Sequence, residues 1–201
     1  MSASATSAPP PFVSRHGLNL ESELWRFAVS FYGREGVAVA CQTLQERAKV
    51  DINLLLFILF AFVHHGRTLP CDDLTALDGL VGGWRGEVGQ PLRRIRTRLK
   101  TGPSPAPTSE TGALREAIKC LEIRAEQIEL AVLSDWLNRR PARGEASGSD
   151  ALAIIGDVVC YFSPENRTAL SEPASMQAIE VLRRAAIEAS AKATPSPSFD
   201  R

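Results

Sequence analysis

The chain has 201 residues, 44% apolar and 23% charged, which suits one ordinary domain with appendages and excludes a fibrous or wholly disordered protein. Lys plus Arg and Asp plus Glu both number 23, so no global field favours nucleic acid or an acidic membrane, and such binding needs a local patch. Residues 1–19 lack the apolar segment of a signal peptide, and no run is long enough to span a bilayer, which makes the cytoplasm the expected compartment.

Residues 1–18 are rich in Ser, Ala and Pro and are expected to be a disordered lead. From there to 138 the apolar period is helical. Glu21–Tyr32 places Leu24, Phe27, Ala28 and Phe31 on one face, with Trp25 and Tyr32 beside it, and Gly33 ends the helix. Val37–Ala48 turns Val37, Ala40, Cys41 and Leu44 inward. The run Leu54–Val63 is apolar all round and only ~15 Å long as a helix, about half a bilayer. Asp51 or Asn53 suits its amide end and Gly66 the left-handed position at its close, so it reads as the buried spine of a helical core.

Pro70 suits the first turn of a fourth helix, buried through Leu74, Leu77 and Leu80 or Val81. Gly82-Gly83 weakens its continuation, and Trp84–Lys100 resumes a helix with an expected kink at Pro91. The Pro-rich stretch 101–109 is a loop. Thr111–Asn138 is the longest expected helix, with a seam of Leu114, Ile118, Leu121, Ala125, Ile128 and Val132. Residues 139–149 read as a linker, and Asp150–Phe162 and Pro173–Ala191 as two amphipathic helices appended at 150–193. A Pro-containing tail follows at 194–201. The expected fold is an all-α, multi-helix bundle with its core domain at 19–138.

Several spaced elements carry a resemblance. They are Leu24-Trp25-x-Phe27, Tyr32, Gly36-Val37, Cys41, Leu44-Gln45 and Asp51-x-Asn53-Leu54-Leu55-Leu56-Phe57. Trp84, Pro91-Leu92-Arg93-x-x-Arg96-x-x-Leu99-Lys100 and Leu121-Glu122-x-x-Ala125-Glu126 continue them. Over roughly residues 20–135 the chain resembles an uncharacterised proteobacterial family of short helical proteins. Near Phe60 the family pattern leads one to expect Trp, a swap that keeps bulk. The resemblance implies fold and extent, a variable C-terminal end, and no transferable activity.

Arg93, Arg94, Arg96, Arg98 and Lys100 form the strongest charge cluster, on a helix whose Leu92, Ile95 and Leu99 are expected to pack. This basic amphipathic helix is the candidate partner-binding element, for a protein partner ahead of nucleic acid, because only Trp84 lies near it as an aromatic. Glu122, Glu126 and Glu129 step along one helix side. Surface ion pairs explain them most simply, and pairing with the Arg93–Lys100 helix is the alternative. No Glu-x-x-His pair, HExxH, GxSxG or Walker spacing occurs, so no metal, cofactor or catalytic set is assigned.

His64 and His65 sit where imidazoles favour the negative end of a helix, and adjacent positions do not share a metal. Asp51 and Asn53 are accounted for by capping. The four cysteines, Cys41, Cys71, Cys120 and Cys160, are expected to be thiols packed as small apolar groups. The leading functional expectation is a non-catalytic adaptor-type domain. The alternative is an enzyme or small-ligand binder with an aromatic pocket walled by Trp25, Tyr32, Phe57 and Phe60.

Overall fold

A computed structural model describes residues 17–140, 150–163 and 171–193. Among these the chain is all-α: α1 Glu23–Tyr32, α2 Val37–Ala48, α3 Ile52–His65, α4 Cys71–Trp84, a π-helical turn Arg85–Gly89, α5 Gln90–Arg98, α6 Ser109–Asn138, α7 Ala151–Phe162 and α8 Pro173–Ala193. The expectations for residues 1–16, 141–149 and 194–201 fall outside the described residues.

α3 is the spine. Leu54 through Ala61 and Val63 are all buried, against side chains from α1, α6, α7 and α8. The Asp51 side chain caps its start by accepting from the Leu54 amide at 2.7 Å. Gly66 closes it at φ 58°, where a Cβ would be strained. The inward faces expected for α1, α2 and α4 are the buried ones: Leu24, Phe27, Ala28 and Phe31; Val37, Ala40, Cys41 and Leu44; Leu74, Leu77 and Val81. Phe57 and Phe60 lie wholly in this core, where Phe57 meets the Trp136 ring edge-on and Phe60 packs on Phe27.

The C-terminal helices belong to the same core and are no mere appendage. Ile155, Val158 and Val159 of α7 and Leu182 and Ala186 of α8 join the cluster built on α3. α8 packs on α2, whose start approaches it closely. Gly36 is at φ 76°, and a Cβ there would stand 3.3 Å from Val181. Arg34 ties the same corner by donating to the Ala185 carbonyl at 2.9 Å.

Three expectations need correction. The α6 seam is rotated: Leu114 and Leu121 are exposed, and the line that packs runs Ile118, Glu122, Ala125, Glu129, Leu133, Leu137. The apolar residues alone gave the wrong stripe because two positions on the true stripe are carboxylates. On α5, Ile95 is half exposed and does not pack, although α5 lies along α6. Of the cysteines only Cys41 is buried. Cys71, Cys120 and Cys160 are exposed thiols. Burial raises the Cys41 thiol to about 12, so it packs as a neutral group.

Between Gly82 and Pro91 the chain does not break. α4 runs directly into the π-helical turn, and the Gln90 amide donates to the Arg85 carbonyl, five residues back. Pro91, in the first turn of α5, has no amide to continue that ladder, so the wide turn ends where proline makes it cost least. The turn places Arg85 at the side of the molecule where α1, α3 and α6 converge.

Candidate ligand pocket

A cavity of about 860 Å³ lies there. α1 supplies Trp25, Val29 and Tyr32 to it; the start of α3 supplies Asp51, Ile52, Asn53 and Leu56; and α6 supplies Glu122, Glu126, Glu129 and Leu130. Arg85 of the π turn, Arg93 and Arg96 of α5, Lys49, Lys119, Asp78 and Phe162 also line it.

Each cation of this wall already has a partner. Arg85 pairs through Nη1 with Asp51 Oδ2 at 2.8 Å and through Nη2 with Asp78. Asp51 therefore does two things at once: one oxygen caps α3 and the other holds Arg85. Burial works against the Arg85 charge, yet Asp51 and Asp78 raise its pKa further above the usual guanidinium value. Tyr161 extends the network by donating its hydroxyl to the second Asp78 oxygen at 3.2 Å.

Glu122 is buried and is shared by two arginines. Arg96 donates through Nε and through Nη2, the latter at 3.2 Å, and Arg93 Nε lies 3.2 Å from Oε1. The Glu122 hydrogen bond is the largest influence holding the Arg96 pKa up. Lys119 Nζ is 3.5 Å from Glu116, and Lys49 Nζ donates to the Glu46 carbonyl at 3.1 Å.

Two carboxylates of the wall have no such partner. Glu129 is 4% exposed. Its Oε2 accepts from Asn53 Nδ2 at 3.1 Å, whereas buried Oε1 has no hydrogen-bond partner among the described residues. Burial first, and then the Asp51 charge, push the Glu129 carboxyl up to about 8. Glu126, one turn before it, has no hydrogen bond or ion pair among the described residues, and burial also raises its carboxyl above the usual range. Tyr32 is raised too, mainly by desolvation.

The expected site residues are thus divided. Arg93 and Arg96 turn to α6 and are held by Glu122, while Arg94, Arg98 and Lys100 are exposed. Pairing inside the fold, not surface ion pairing, is what Glu122 does, and Glu126 and Glu129 line the cavity instead. Trp25 and Tyr32 line it as well, but Phe57 and Phe60 do not. Asp51 and Asn53, expected only as caps, are wall residues of the pocket.

Asp78 was missed. Its seven-residue spacing from Arg85, two turns along one continuous helical face, was the available signal. His64 and His65 have no part in the pocket. Their rings rest on Phe60, 5.0 Å and 5.2 Å away, and His65 is lowered mainly by desolvation. Among the described residues no three His, Cys, Asp or Glu side chains converge as a metal site.

Residues 23–133 match the model of a family described as Protein of unknown function (DUF2390). The chain belongs to this family. No curated protein and no solved structure matches it. The DUF2390 region spans α1 to most of α6 and so includes every pocket residue named above except Phe162. α7 and α8 lie beyond the matched residues yet complete the core under the DUF2390 pocket.

Proposed function

We propose that this protein binds a small organic ligand in the pocket between α1, α3, α5 and α6. One observation carries the reading: a cavity of about 860 Å³ has an aromatic and aliphatic side facing a cluster of buried charges. Ligand sites combine such apolar surface with a few placed polar groups, and a volume in this range suits a drug-sized molecule. The wide π turn that delivers Arg85 to the wall is of a kind common at functional sites.

Fragment screening by NMR on the labelled full chain tests the proposal. Hits should shift amides of residues 25–33, 50–56 and 122–130. They should weaken in Val29→Trp, which narrows the cavity from an exposed wall position. Hits that map elsewhere, or a pocket silent to the whole library, would refute it.

A second reading is an adaptor that grips an acidic protein partner, in the cytoplasm, through the outer face of α5. It is supported by Arg94, Arg98 and Lys100, which are exposed beside half-exposed Ile95. Arg93 and Arg96 leave this face because Glu122 holds them. Lysate capture compared between wild type and an Arg94→Glu/Arg98→Glu/Lys100→Glu variant tests it, and equal partner recovery would sink it.

A further inference from the structure

We infer that the pocket takes an organic cation, a protonated amine whose nitrogen is held by Glu126 and Glu129 and whose apolar body lies against Trp25, Leu56 and Leu130. The inference rests on the small-ligand reading above and adds the charge of the ligand. It follows from which wall groups are already ion-paired.

Arg85 is ion-paired with Asp51 and Asp78, although its buried Nη1 lies beside Asp51 without hydrogen-bond geometry, and Arg93 and Arg96 share Glu122, so an anionic ligand would have to compete with a carboxylate already at each guanidinium. The carboxylates show the opposite condition. Glu126 makes no hydrogen bond or ion pair among the described residues, with Arg93 and Arg96 acting on it only at longer range, and Glu129 is a wall residue whose buried Oε1 accepts nothing among them. A buried acceptor without a donor is a standing cost that a ligand N–H removes.

An ammonium between two acids one helical turn apart favours the charged form of both and supplies the missing hydrogen bond. Trp25 and Tyr32 favour the same ligand charge, since the faces of aromatic rings attract cations. Desolvation by the surrounding wall keeps both carboxyls above their ordinary range, which is the state that an added cation reverses.

The test uses three probes of one shape: 2-phenylethylamine as its ammonium, 2-phenylethanol as the neutral analogue and 3-phenylpropionate as the anion. Each is titrated into the labelled full chain while the amides of residues 25–33, 50–56 and 122–130 are followed. The amine should bind at least tenfold more tightly than the alcohol, and the acid should leave these amides in place. Glu129→Gln and Glu126→Gln should each weaken the amine at least fivefold and leave the alcohol unchanged, with an unaltered amide spectrum outside the pocket showing that the variants fold.

Tighter binding of the alcohol or the acid in the same pocket would overturn the cation assignment and leave the ligand site standing. No pocket response to any of the three would overturn the cation assignment too, and the fragment screen then decides the ligand site by itself. An amine affinity untouched by both substitutions would also overturn the assignment.

Discussion

Glu129→Gln should stabilise the protein at alkaline pH and have little effect in acid. The side chain is buried in the pocket wall, with Asn53 donating to one oxygen and nothing among the described residues to the other. Its carboxyl sits at about 8 in the fold against 4.5 as the reference for an unfolded chain. The folded state therefore binds the proton more tightly. That contribution is fully present below about pH 4.5 and is lost as the pH rises to about 8.

Burial sets this direction, and the groups facing Glu129 divide. Asp51 at the start of α3 and Glu126 on its own helix oppose its ionisation, while Arg85 of the π turn and the Asn53 amide favour it. Burial outweighs them all. Ionising the group inside the fold costs about 1.4 kcal/mol per pH unit between the two values, so the full span is of order 5 kcal/mol. Glutamine keeps the oxygen that Asn53 donates to and has no proton to lose.

Urea unfolding of wild type and Glu129→Gln at about pH 5, 7 and 8.5 reads the difference directly. The two should agree to within about 1 kcal/mol at the acid end, and the variant should lead by about 4 kcal/mol at the alkaline end. Stability curves that run parallel across this range would refute the placement of Glu129 as a buried, under-satisfied acid.

Asp51→Ala removes a helix cap and leaves Arg85 with Asp78 alone, so urea unfolding should show a loss of about 2–4 kcal/mol, with Asp51→Asn losing less. Leu56→Asp or Phe57→Asp puts an unpaired charge against the spine and should abolish cooperative melting, seen by circular dichroism. Gly36→Ala meets both a left-handed backbone and Val181, and should lower stability by about 1–2 kcal/mol in denaturant titration. Thiol titration of the native chain should find Cys71, Cys120 and Cys160 reactive and Cys41 reactive only after unfolding. Fast native labelling of Cys41 would contradict its burial.

Much of the fold is written locally. α3 needs only its own apolar run, Asp51 and Gly66, because caps act within one turn and an all-apolar helix has no face to present to water. The same holds for the inward faces of α1, α2 and α4, which follow from apolar spacing. The pocket is different. Glu122 and Glu129 occupy core positions of α6, where a carboxylate is the last residue type that composition suggests, and α6 alone would have packed on Leu114 and Leu121.

What reverses the choice is Arg96 and Arg93 arriving from α5, Asn53 from α3, and the π turn that lets Arg85 reach Asp51. Those partners are separated by tens of residues along the chain, so their pairing depends on helix packing. The sequence determines the helices, the spine and most inward faces, since these depend on neighbours three or four residues away. Only the tertiary structure decides that two of the five cations in the basic cluster are held by Glu122, that the C-terminal helices close the core, and that two acids are left facing a cavity.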